Sequence, residues 1–269
     1  MTLTRAQVAS LLARVDRHPS RALGQNFVVD ANTVRRIARL AAVGPGDRVV
    51  EIGAGLGSLT LALAETGASV TAVEIDRHLV PLLRENVEPV GVTVVEADAM
   101  ALDWGALLGD GRWSLVANLP YNVATPLVAD LLDGVPAIER MLVMVQKEVG
   151  ERLAAGVGDD AYGAVSVKVS YWATAKVVGL VPPTVFLPRP NVDSALVAIE
   201  RRAQPATDAP RDRLFTLVRA GFGQRRKMLR RSLGELVTPE VFDSAGVRPE
   251  ARAEELDVEA WGRLASCSS

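Results

Sequence analysis

From about residue 47 to residue 146 the chain alternates short β-branched runs with helical stretches, and no other feature restricts its fold as strongly. Val49-Val50-Glu51-Ile52 leads through a glycine-rich turn into a helical stretch at 58–66. A second run at 69–75 leads into a helical stretch at 78–86, and 92–96, 114–117 and 141–146 read as three further strands. Strands separated by helices predict an α/β fold with a mostly parallel, doubly wound sheet. A helix follows at 162–172. Two more strands at 174–181 and 194–201 are joined by a proline-rich connection around 182–190. The segment 201–210 has two prolines and no periodicity, so it reads as a linker. Beyond it the pattern is helical only. The organisation expected is a sheet domain at 1–202 with an N-terminal helical extension, a linker at 203–210, and a small all-α domain at 211–269.

Composition excludes several classes. With 269 residues, 49% hydrophobic and 23% charged, the chain can bury a substantial core. The single cysteine, Cys267, leaves no disulfide within the chain and no cysteine-rich zinc site, and it fits a reducing compartment. With only His18 and His78 besides, no structural metal is expected. No stretch approaches the roughly 18 apolar residues of a membrane span. The first 15 residues hold Arg5 and Arg14 and no acid, as an organellar leader would. Val8, Leu11, Leu12 and Val15 nevertheless share one helical face, so a native amphipathic helix in a cytoplasmic protein is the reading adopted.

Two chemical signals lie at the strand ends. Asn118-Leu119-Pro120-Tyr121 follows the apolar run Leu115-Val116-Ala117, where open α/β sheets place their ligands. An Asn carbonyl, a backbone carbonyl before Pro120 and an aromatic ring suit a flat base bearing an amino group, with two acceptors for its NH2 and a face for its ring. The alternative is an ordinary β-turn. Glu51-Ile52-Gly53-Ala54-Gly55-Leu56-Gly57 closes the first strand and opens a helix. Gly53 and Gly55 permit a tight turn and close approach to a ligand, but Glu51 would repel a pyrophosphate. It suits a cation, and S-adenosylmethionine carries a sulfonium and an ammonium. Glu74, ending the second strand 21 residues after Gly53, is placed to bind both hydroxyls of a ribose, or else is a solvated strand-end acid. Asp98 is placed to accept from an adenine amino group, or else to cap a helix before Met100.

The net charge of −2 conceals a segregation. Between Arg211 and Arg231 eight basic residues face one acid, whereas from Ser232 onward eight acids face three arginines. A basic helix carrying Arg225, Arg226, Lys227, Arg230 and Arg231 over a buried stripe of Met228, Leu229 and Leu233 is the footprint of phosphate contacts, or else a solvated helix face. Arg14, Arg17 and Arg21 would extend it.

These motifs together resemble the ribosomal RNA adenine dimethyltransferase family. The resemblance runs from about Leu23 to Gly234 and rests on Leu23-Gly24-Gln25-Asn26-Phe27-Val28, the glycine turn, Val73-Glu74-Ile75-Asp76, Asn118–Tyr121, Phe186-Leu187-Pro188-Arg189-Pro190-Asn191-Val192-Asp193-Ser194, and Gln224-Arg225-Arg226-Lys227-Met228-Leu229. It implies a class I methyltransferase sheet with an antiparallel final strand. It also implies S-adenosylmethionine contacts from Asn26, Val28, Gly53, Glu74, Asp98 and Asn118, with S-adenosylhomocysteine as product. The substrate implied is two adjacent adenines near the 3′ end of small-subunit (16S) ribosomal RNA, on an immature small subunit, with a role in its maturation. Asn118 and Leu119 would orient the amino nitrogen. Tyr121 would stack on the flipped base, and Phe186 would cover its other face unless it is a core aromatic. A monomer is expected. The readings set against this one are a large-subunit RNA adenine methyltransferase of the macrolide-resistance type, a mainly non-catalytic assembly factor, and a DNA adenine methyltransferase.

Overall fold

The computed structural model describes residues 2–20 and 23–268, which form two compact units. The first comprises residues 1–150 and 176–200, and the second 151–175 and 201–269.

The first unit opens with α1 (Arg5–Arg14), whose Thr4 side chain accepts the Gln7 N–H while the Gln7 side chain accepts the Thr4 N–H. Its Val8 and Leu12 are buried, and Leu11 and Val15 pack beside them as the helical spacing predicts. After β1 (Phe27–Val28) and α2 (Ala31–Ala41) the expected alternation begins: β2 (Arg48–Ile52), α3 (Ser58–Ala64), β3 (Ser69–Glu74), α4 (Val80–Val87), β4 (Thr93–Glu96), α5 (Trp104–Leu108), β5 (Trp113–Asn118), α6 (Ala124–Gly134) and β6 (Ile138–Gln146). Two helices, α7 (Lys147–Ala154) and α8 (Ala164–Trp172), precede β7 (Ala173–Val181), β8 (Phe186–Leu187) and β9 (Ser194–Arg201).

Seven strands form one sheet in the order β4-β3-β2-β5-β6-β9-β7. Pairings β2–β3, β3–β4, β2–β5 and β5–β6 are parallel, and β9 runs antiparallel to β6. The chain starts at β2 in the middle, steps outward to β4, then returns to β5 on the other side of β2. That reversal opens a crevice at the carboxyl ends of β2 and β5, the place where doubly wound sheets bind ligands. Strands β2 and β5 are apolar and buried along almost their whole length, because helices cover both faces of a parallel sheet. Glu51 is therefore buried as well, at 2% exposed.

The second unit is helical: α8, then α9 (Arg211–Gly223), α10 (Leu229–Ser232), α11 (Pro239–Ala245) and α12 (Val258–Cys267). The sequence reading assigned 151–175 to the sheet domain, but Tyr162, Val167 and Tyr171 pack in one cluster with Leu214, Phe215 and Trp261. The Tyr162 hydroxyl also donates to the Leu256 carbonyl at 2.9 Å. The segment 203–210 is tied down: the Ala206 N–H donates to the Tyr171 carbonyl, and Ala209 is buried. Among the described residues no helix is long and apolar enough to cross a membrane, and no group of His, Cys, Asp and Glu could hold a metal ion.

Candidate active site

The glycine turn after β2 and the acid that ends β3 form one hydrogen-bonded unit. Glu74 is 5% exposed, so it is no solvated strand-end acid. Its Oε2 accepts the Gly55 N–H at 2.7 Å and its Oε1 the Asp76 N–H at 2.9 Å. Burial raises the Glu74 pKa, and those two backbone donors oppose the rise. Each carboxylate oxygen keeps further lone-pair capacity. Gly55 has φ +60°, and a Cβ there would lie 2.9 Å from the Phe27 ring, so conformation and space both require glycine.

Glu51 lines the same cleft. Burial above all pushes its carboxyl up to about 8, with the neighbouring Thr60 hydroxyl lowering it and the Glu74 charge adding to the rise. Its buried Oε2 has no hydrogen-bond partner. An orphaned acid oxygen of this kind fits a cationic group better than an anionic one.

Residues 23–27 form another wall. The Gln25 Oε1 accepts the Ser20 N–H at 2.8 Å, and its Nε2 donates to Asp76 Oδ2 at 2.9 Å, beside Glu74. Gly24, at φ +63°, approaches so closely that a Cβ would stand 2.9 Å from Asn122 Oδ1 and 3.0 Å from Pro120 Cβ. Asn26, Val28, Glu51, Gly53, Gly55, Glu74, Asn118, Leu119, Pro120 and Tyr121 all line this one cleft. Sequence reasoning assigned no role to Gln25, although its place in the Leu23–Val28 motif was visible.

At the end of β5 the Asn118 Nδ2 donates to the Asn26 carbonyl at 2.8 Å, which leaves Oδ1 as an acceptor. The Leu119 N–H is taken by the Met144 carbonyl at 3.0 Å; its own carbonyl accepts no hydrogen bond among the described residues. The Pro120 carbonyl accepts from Val123 and Ala124, so the tetrapeptide is a turn as well as a cleft wall. The Tyr121 hydroxyl meets Ser194 Oγ at 2.9 Å, and burial raises its pKa while Ser194 opposes the rise.

Phe186 does not join them. Its backbone pairs with Val28 in the β1–β8 ribbon, and its side chain is 0% exposed within the main core cluster. The expectation that it covers the second face of a base is corrected accordingly: Phe186 is a core aromatic. Asp98 lines an adjoining cleft with Ile75, Ala97, Met100 and Asn122, which shares Leu23, Gly53, Ile75 and Pro120 with the first. Asp98 Oδ1 also accepts the Met100 N–H at 2.9 Å, the local turn role set against its ligand role. The half-exposed Ile75 and Met100 were assigned no role; for Ile75, a large apolar side chain right after the strand-end Glu74 was the available signal.

In the second unit the basic cluster is not on one helix: Arg225, Arg226 and Lys227 lie in a turn, and Arg230 and Arg231 lie in α10. Helix α9 ends at Gly223, and 224–227 form a turn because Met228 is extended and bridges Arg252. Met228 is for the same reason 41% exposed, while Leu229 and Leu233 are buried as expected. Arg225 pairs with Glu254 and Arg230 with Glu250. Arg226, Lys227 and Arg231 are exposed and form no ion pair among the described residues. In the first unit Arg14 pairs with Glu85 at 2.7 Å and Arg17 meets His78 at 2.7 Å, whereas Arg21 lies outside the described residues.

A family model described as ribosomal RNA adenine dimethylase matches residues 18–268, well beyond Gly234, where the recognisable motifs end. The ribosomal RNA small subunit methyltransferase A of Thermobifida fusca is 48% identical, over 98% of this chain and 95% of its own. The protein of the same description from Streptomyces coelicolor is also 48% identical, over 97% and 94%. Among solved structures, the 23S rRNA methyltransferase ErmE superposes with a TM-score of 0.69 at 28% identity, covering 90% of this chain and 99% of its own. A dimethyladenosine transferase from Plasmodium falciparum gives 0.75 at 24% identity, covering 87% and 94%, which supports the fold.

Proposed function

The chain belongs to the ribosomal RNA adenine dimethylase family, and from that premise we propose that it is a small-subunit ribosomal RNA adenine N6,N6-dimethyltransferase using S-adenosylmethionine. We assign as substrate two adjacent adenines near the 3′ end of the RNA, presented by an immature small subunit. The observation that carries the reading is the pair of unused acceptors, Asn118 Oδ1 and the Leu119 carbonyl, at the carboxyl end of β5.

Each residue then has a task. Glu74, held by the Gly55 and Asp76 N–H groups, has lone pairs left for the ribose hydroxyls. The orphaned Glu51 oxygen faces positive charge, and Asp98 with Ile75 and Met100 receives the adenine of the donor. When bound, the cofactor supplies a methyl group already activated on a sulfonium. What remains for the chain is alignment. An adenine amino nitrogen is a poor nucleophile because its lone pair is delocalised into the ring. Asn118 Oδ1 and the Leu119 carbonyl each accept one N–H, which favours a pyramidal nitrogen and aims its lone pair. Tyr121 holds the extruded base by its ring face. Arg226, Lys227 and Arg231, which form no ion pair among the described residues, take RNA phosphates.

The test is to incubate the purified protein with labelled S-adenosylmethionine and immature small subunits from an unmethylated strain, then map the label. Two adjacent dimethyladenosines near the 3′ end are expected. Label confined to large-subunit RNA would refute the assignment.

A further inference from the structure

We propose that Ser194 is a positioning residue that holds the Tyr121 ring for the second methyl transfer to each adenine; the idea rests on the adenine reading above. Ser194 opens β9, pairs with Gln146 at the end of β6, and is 0% exposed. Its Oγ lies 2.9 Å from the Tyr121 hydroxyl, so the free tip of an otherwise loop-borne ring is fastened to the sheet. A buried hydroxyl such as that of Ser194 is rarely left without a partner, and its bond to the half-buried Tyr121 makes the ring's orientation a property of the sheet and not of the loop. Phe186, committed to the core, does not supply a second face opposite the ring.

The second transfer depends more on that ring than the first. An unmodified amino group offers two N–H donors to Asn118 Oδ1 and the Leu119 carbonyl. After one transfer, a single N–H remains for two acceptors, and the nitrogen carries a methyl that must turn away from the incoming donor. Alignment by hydrogen bonds is halved, and stacking on Tyr121 carries a larger share. A ring freed to tilt therefore impairs dimethylation more than monomethylation.

The experiment compares Ser194→Ala, Tyr121→Phe and the double variant with the unaltered protein on immature small subunits, reading mono- and dimethyladenosine by mass spectrometry and cofactor affinity by calorimetry. Both single variants remove the same hydrogen bond, from opposite ends. Each is expected to raise the ratio of mono- to dimethyladenosine at least about threefold. The double variant should match the singles, Ser194→Thr should restore the parental ratio, and cofactor affinity should be unchanged. A parental ratio in both single variants, or equal slowing of both transfers, overturns the positioning role while leaving the adenine reading intact. Absence of methyladenosine with the unaltered protein overturns the reading and the proposal together.

Discussion

At the carboxyl edge of the sheet, nearly every group facing the cleft is buried or held by a neighbour. Glu74 is gripped by two backbone N–H groups, Asn118 by the Asn26 carbonyl, and Tyr121 by Ser194. In the helical unit the basic residues at 225–231 are exposed, and two of them already pair with Glu254 and Glu250. The first region works through a few fixed distances in a low dielectric, where losing one group leaves others unpaired. The second works through charge near a surface, where each contribution is small, screened by salt and nearly additive. Precision is concentrated at the sheet edge, while under the proposed function attraction for RNA would be spread over many side chains.

Glu74→Ala should be the most damaging change, because it strands the Gly55 and Asp76 N–H groups as well as removing the proposed ribose acceptor. Cofactor affinity measured by calorimetry should fall on the order of 100-fold. Tyr121→Ala should cut turnover by more than about tenfold through lost stacking, with cofactor affinity little changed. Equal loss of both quantities would erase the distinction between cofactor end and base end.

Glu51 tests how far burial governs the cleft. Its carboxyl, pushed up to about 8, is mostly protonated at neutral pH in the free protein. Affinity for the cationic cofactor should therefore rise with pH, by at most about tenfold per unit, and level off above about 8. Glu51→Gln should flatten that profile. The same shift has a sign for stability. A carboxyl raised above its unfolded value contributes stability below the ordinary carboxylate range and loses it as pH rises towards about 8. The melting temperature of Glu51→Gln should accordingly exceed the parental value by more at pH 9 than at pH 5.

The smallest effects belong to the helical unit. Replacing Arg226, Lys227 or Arg231 singly by Ala should weaken small-subunit binding only severalfold. Each should lower the slope of log affinity against log salt by about one, in filter-binding titrations. A single replacement that abolished binding would mean the basic cluster is a fixed site like the cleft, and the contrast between the regions would fail.

How much of this was legible follows from where the determining contacts lie. The acids Glu51 and Glu74 and the Asn118–Tyr121 turn were readable because hydrophobic periodicity ends beside them, and strand ends at a chain reversal meet by topology. Phe186 was misplaced because its burial depends on a two-residue ribbon with β1, nearly 160 positions earlier, which leaves no local pattern. One continuous basic helix is the natural reading of 224–231 because Arg and Lys are good helix formers, and the structure keeps it only from Leu229 onward. The bridge from Met228 to Arg252 overrides that preference. The segment 151–175 looked like part of the sheet domain in sequence order, and only the packing of Tyr162 and Tyr171 reveals its allegiance.

Strand β9 follows β7 in the chain yet lies between β6 and β7 in the sheet. During synthesis β7 thus has no partner to pair with until about residue 200 has emerged, and Tyr121 has no Ser194 to hold it. A nascent chain interrupted before that point would carry Asn118 and Tyr121 without a finished edge beneath them. The strand that carries Ser194 is the last of the sheet in chain order, so Tyr121 gains its partner only after every other strand has been made.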